Sequence, residues 1–218
     1  MVKDLANHAP LFLSLIVVSE VIGSIPIYLS SVRNLSKSQR RIFAIRSVMA
    51  ASVLLLAITV LAKLSIKLLG SQDAIYQISI GALLFAFSVF TMFEKSDHAL
   101  KNSINSQNRF NGKAFAFAAN SIATPGVMLT LLLLAELHAG SLSGSASIII
   151  QIFVALLLTI ACLINAHEIN KIIGKLGANI VRRISAIVIA FIAIDAVVRG
   201  FDESLLAKAA APAIAHFH

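Results

Sequence analysis

The sequence predicts an all-α polytopic membrane protein, with six transmembrane helices forming two inverted three-helix halves in which helices 1 and 4 are broken. Three observations predict it. Uncharged apolar stretches recur at bilayer-crossing length, basic residues collect in alternate connections, and prolines interrupt the first helix of each half at matching depth. Hydrophobic residues make up 58%, mean hydropathy is +0.90 and only 13% of residues are charged. That is more apolar side chain than a soluble core requires.

Crossing about 30 Å of hydrocarbon at about 1.5 Å per residue takes roughly 20 residues. Six stretches qualify, near 11–31, 43–63, 74–93, 114–136, 145–167 and 183–202. The first carries Glu20 at its middle and lacks a small-residue cleavage site after its apolar core, so it reads as a retained span rather than a signal peptide. The second and sixth contain Arg46 and Asp195 and are expected to extend past those charges. Arg46 is expected to snorkel to the interface. Asp195 and Arg199, four apart, are expected to pair on one helical face. Glu136 and His138 lie at the outer end of span four and need no special account. Cys162, the single cysteine, reads as packing in span five and excludes an intrachain disulfide or cysteine metal cluster.

Charge orients the bundle. Of the 18 Lys and Arg residues, 13 fall in the first, third and fifth connections, among them Arg33, Lys37, Arg40, Arg41, Lys95, Arg109, Lys171, Arg182 and Arg183. The positive-inside rule then places both termini on the non-cytoplasmic side of a multi-pass protein. The net charge of +8 is thus accounted for by loops and asks for no nucleic acid partner. The chain reads as one membrane domain, 1–218. Half one is 10–94, half two is 114–203, and the cytoplasmic connection 95–113 is rich in Asn, Ser, Lys and Gln. Three spans per half force opposite orientations, the geometry of an inverted repeat.

The candidate site lies where the helices are interrupted. A carboxylate at the bilayer centre costs roughly 2.5–3.5 kcal/mol on insertion scales, so Glu20 is expected to face the bundle interior or a wet cavity. Gly23, Ser24 and Pro26 follow it in span one; Asn120, Ser121, Thr124, Pro125 and Gly126 form the matching interruption in span four. Paired breaks in corresponding helices point to a transporter site, since freed amides favour anions and freed carbonyls favour cations. These nine residues are the expected substrate-binding set. No catalytic residue is expected: the chain has no Gly-x-Ser-x-Gly elbow, P-loop or dinucleotide glycine fingerprint. His167-Glu168 begins like a zinc-protease motif, but Lys171 stands where the second histidine is needed, so neither metal nor cofactor is expected.

The run Glu20-Val21-Ile22-Gly23-Ser24-Ile25-Pro26-Ile27-Tyr28 resembles the Asp-Pro-Ile-Gly-Asn-x-Pro-Ile-Phe motif of the MarC family of bacterial inner-membrane proteins. Ala123-Thr124-Pro125-Gly126 resembles that family's Ala-Gly-Pro-Gly, while Asn170 to Gly177 and Val181-Arg182-Arg183-Ile184 resemble its segment before helix six. Glu20, Val21, Ser24, Asn120 and Thr124 depart from the family residues, the first with its charge kept. The resemblance implies transport, inward or outward, of small neutral amino acids such as glycine or alanine, coupled to protons or sodium. Glu20 would hold the ammonium or a coupling proton, because burial favours a neutral carboxyl. Amides beyond Pro26 or Gly126 would hold the carboxylate. The competing readings are a transporter or channel for another solute and a scaffold or regulatory protein without substrate. A cation channel would call for a row of acidic residues, and a scaffold would not need paired polar breaks.

Overall fold

The computed structural model describes residues 16–17, 20–69, 73–93, 109–137 and 142–215, which are helical apart from short turns. The helices are α1 (20–31), α2 (Lys37–Leu69), α3 (Asp73–Phe93), α4 (Phe110–Ser121), α5 (Pro125–Leu137), α6 (Leu142–Ile164) and α7 (Ala166–Ala215). Four are long and apolar enough to cross a membrane: Lys37–Ser65, Ala74–Phe93, Ala146–Ile164 and Leu176–Asp202. The α4–α5 pair, bent by 59°, passes the same test together and makes a fifth if the pair crosses as one span. Residues 11–15 and 18–19 of the first stretch, and 95–108 of the connection, lie outside the described residues.

Helix ends follow local chemistry. At the start of α2, Ser36 N–H donates to Gln39 Oε1 at 3.0 Å and Gln39 N–H to Ser36 Oγ at 3.3 Å, a reciprocal capping box. Arg46 and Asp195 do lie inside continuous helices. Within α7, Gly174 takes φ 63, a backbone that an L side chain resists, and turns the segment beginning at Ala166 away from the span beginning at Leu176.

Helices before the 95–108 connection pack on helices after it. Tyr28 of α1 packs on Phe117 of α4 with ring centroids 5.6 Å apart, α2 packs on α6, and α3 packs on α7 over the largest helix contact. Gly81 and Gly200 permit the last of these. A Cβ on Gly81 would lie 2.9 Å from the Ala193 carbonyl, and one on Gly200 2.7 Å from the Ala74 carbonyl. Small residues let backbones approach where lipid supplies no hydrophobic drive between helices, so packing itself stabilises the pair. Falling numbers on α3 meet rising numbers on α7, so the two run antiparallel.

Tyr28, Phe43, Phe110 and Phe117 form an aromatic cluster that joins α1, α2 and α4. Arg46, inside α2, lies 5.5 Å above the Phe110 ring and bonds Asn111 Oδ1, which ties α2 to the start of α4. Val53, Val60, Phe90, Phe153 and Phe191 are exposed, the lipid-facing side of a membrane bundle.

Candidate functional site

The break in span four is local and buried. After α4 ends at Ser121, Ile122 N–H and Ala123 N–H both donate to the Ala118 carbonyl, at 3.1 and 2.8 Å. The chain restarts with Pro125 at the first position of α5, where its missing N–H costs nothing. Thr124 Oγ1 accepts the Val127 N–H in a long bond of 3.4 Å and so caps α5. Ser121, Ile122, Ala123, Thr124 and Gly126 are all buried. A helix C-terminus and a helix N-terminus therefore meet inside the bundle, each carrying backbone groups without an intrahelical partner.

Glu20 is 4% exposed, and its neighbours Val21 and Ile25 belong to the same core as Ile122, Ala123 and Val127. The expected break at Pro26 is not found. Residues 20–31 are continuously helical, because the fixed proline φ suits a helix and the loss is confined to one backbone hydrogen bond. Ser24 Oγ donates to the Val21 carbonyl at 2.9 Å within its own helix. Gly23 is a contact glycine: its Cβ would stand 3.0 Å from Arg182 Cβ and 3.5 Å from the Ala178 carbonyl. Gly126 is one too, with Phe87 Cε1 2.5 Å from where its Cβ would be.

Asn120 was expected to face inward and does not. The buried face of α4 runs through Ala114, Phe117, Ala118 and Ser121, so the preceding position is turned out, and Asn120 Nδ2 donates to the Ala116 carbonyl at 2.8 Å. Pro125 is likewise exposed. Of the nine expected residues, Glu20, Ser121 and Thr124 keep buried polar groups near the break; the other six pack, bend or face outward.

Three residues escaped the sequence reading. Ser47 on α2 and Gln151 on α6 are buried, and their polar atoms, like Ser121 Oγ, have no hydrogen-bond partner among the described residues. Counted from the basic ends of their helices, Glu20, Ser47, Ser121 and Gln151 each lie 10 to 13 residues in. That is about 15–20 Å along a helix. Arg182, read from sequence as a loop cation, packs its stem against Gly23 within a turn of Glu20. An uncharged Ser or Gln in an apolar run carries little signal of its own, and Arg182 is hidden by its charged neighbour Arg183.

Glu136, for which the sequence asked no special account, is 8% exposed and accepts a hydrogen bond from Gln77 Nε2 of α3 at 2.9 Å. The end of α5 packs under α3, which covers it. His138 lies outside the described residues. Asp195 and Arg199 form the expected ion pair. Among the described residues no group of three or more His, Cys, Asp or Glu could hold a metal ion. Replacing Gln77 by Leu should destabilise the protein by about 1–3 kcal/mol by stripping a donor from a buried carboxylate. Thermal unfolding in detergent should show the Gln77→Leu/Glu136→Leu pair losing less than the two single losses combined.

The sequence profile described as MarC family integral membrane protein matches residues 6–205. A UPF0056 membrane protein of the archaeon Methanocaldococcus jannaschii is 23% identical over 205 residues, covering 93% of this chain and 100% of its own. The UPF0056 membrane protein YvbG of Bacillus subtilis is 23% identical over 87% of this chain and 91% of its own, and one from Aquifex aeolicus is 23% identical over 89% and 92%. These relatives are not confined to bacteria. No solved structure matches.

Proposed function

Because this chain belongs to the MarC family of integral membrane proteins, we propose that it is a secondary transporter of small neutral amino acids, glycine- or alanine-like, driven by a proton or sodium gradient. The observation that carries this reading is the buried break of span four, sharing a core with the buried Glu20. A zwitterion needs an anionic partner for its ammonium and amide donors for its carboxylate. Glu20 supplies the first and the opening turn of α5 the second. Ser47, Ser121 and Gln151 add neutral buried hydrogen-bonding groups. Transport, not catalysis, is the work assigned to them.

The contacts between corresponding helices support two inverted halves, with the substrate at their junction. The alternation of basic connections supports placement in the cytoplasmic membrane, with both termini on the non-cytoplasmic side. In a Cys162→Ala background, a cysteine placed at Ser103 should react with a membrane-impermeant maleimide only after the cytoplasmic face is exposed. Labelling from outside intact cells would reverse the topology.

The deciding experiment is uptake of labelled glycine, alanine, serine and threonine into proteoliposomes under separate proton and sodium gradients. Accumulation of at least one, abolished by collapsing the gradient, is expected. Rates equal to protein-free liposomes for all four would remove amino acid transport from consideration.

A further inference from the structure

At the basic end of the bundle, remote from the break, a pocket of ≈ 600 Å³ opens between α1, α2, α6 and the start of α7. Its polar lining is Lys37, Arg40, Arg41, His167 and Glu168, over an apolar floor that includes Val32 and Leu163. The charges do not balance. Glu168 is engaged by Lys171 at 3.0 and 3.2 Å, and no carboxylate among the described residues bonds Lys37, Arg40 or Arg41.

The pocket wall is also built. Arg40 donates from Nε to the Leu35 carbonyl at 2.9 Å and from Nη2 to the Arg33 carbonyl at 3.2 Å, which ties down the turn between α1 and α2. The buried Tyr28 donates its hydroxyl to the Arg40 carbonyl at 3.2 Å, fixing the first turn of α2 to α1. Lys37 and Arg41, four apart on one face, are thereby presented at the pocket mouth with no acidic partner. Ile164 in its lining is exposed, as are Ile172 and Leu176 further along α7. Such side chains on either side of the Gly174 turn suit contact with acyl chains.

We propose that this pocket is a phosphate-binding site for the headgroup of an anionic phospholipid, held by Lys37 and Arg41 with Arg40 as the fixed wall. Cations set between membrane helices at the cytoplasmic interface attract anionic headgroups in this way. The apolar lining at Leu29, Val32, Leu163 and Ile164 beside these cations assigns the phosphate to a lipid in preference to a free anion. This site is independent of the transported solute.

The test is native mass spectrometry of the full chain in detergent, titrated with phosphatidylglycerol, with phosphatidylcholine, or with inorganic phosphate. One phosphatidylglycerol per chain should be retained in preference to phosphatidylcholine. Two cations, each worth about fivefold near an anionic headgroup, make Lys37→Gln/Arg41→Gln about 30-fold weaker. Lys37→Arg/Arg41→Lys should keep binding within a few-fold, and Arg109→Gln/Arg183→Gln, with the same loss of charge outside the pocket, should match wild type. Should the first double variant not fold, Arg41→Gln alone carries the comparison. Equal loss in the pocket and control variants would mean diffuse attraction and overturn the site. Displacement of the lipid by millimolar inorganic phosphate, with equal stabilisation by phosphate alone, would overturn the lipid as its source.

Discussion

Glu20→Gln is expected to cut gradient-driven amino acid uptake by about 10- to 100-fold while the protein inserts and unfolds as wild type does. The change keeps the shape of a side chain that is almost fully buried and removes its titratable charge. A hydrogen bond to a charged group contributes about 1.5–3 kcal/mol, which sets the size of the loss if the carboxylate meets the substrate ammonium. If it carries the coupling proton instead, the residual uptake should lose its response to a pH gradient while keeping any response to sodium. Measurement in proteoliposomes with matched protein content separates these outcomes. Wild-type rates with unchanged pH and sodium dependence would make Glu20 structural, held in place by its packing near Arg182.

Gly200→Leu should be the most damaging substitution outside the site. Its Cβ alone would fall 2.7 Å from the Ala74 carbonyl, and backbone cannot yield as a flexible side chain does. Overpacking of this kind costs about 1–3 kcal/mol, and here it strikes the most extensive helix contact in the bundle. The variant should melt several degrees lower in detergent, and Gly81→Leu, facing the Ala193 carbonyl at 2.9 Å, should behave alike. Gly174→Ala offers the contrast. Nothing lies within 4 Å of its Cβ position, so its loss, about 1–3 kcal/mol, comes from backbone strain alone and not from packing. If Gly200→Leu melts with wild type, the α3–α7 contact is looser than described.

The apolar lengths that cross a bilayer, the helices that run on past Arg46 and Asp195, and the ion pair at Asp195 and Arg199 were all readable in the sequence. Each depends on neighbours within one helix, where rise and periodicity leave little freedom. The interruption at Pro125 was readable for the same reason: proline at a first helical position, flanked by threonine and glycine, is a local signal. At Pro26 the same signal misled, because a proline costs a helix one hydrogen bond and the surrounding bundle decides whether the helix survives it.

What the sequence by itself determined is an integral membrane protein of helices, with most basic residues in alternate connections and a glutamate in its first apolar stretch. Only the tertiary structure decided which polar groups share the interior. It turned Asn120 outward, enclosed Glu136 under α3, and buried Ser47 and Gln151. The physical reason is that hydropathy along a chain records the need to meet lipid, which most faces of a membrane helix share. Which face meets another helix is set by close packing between segments distant in sequence, through glycines such as Gly23, Gly81 and Gly200 whose partners no local pattern names.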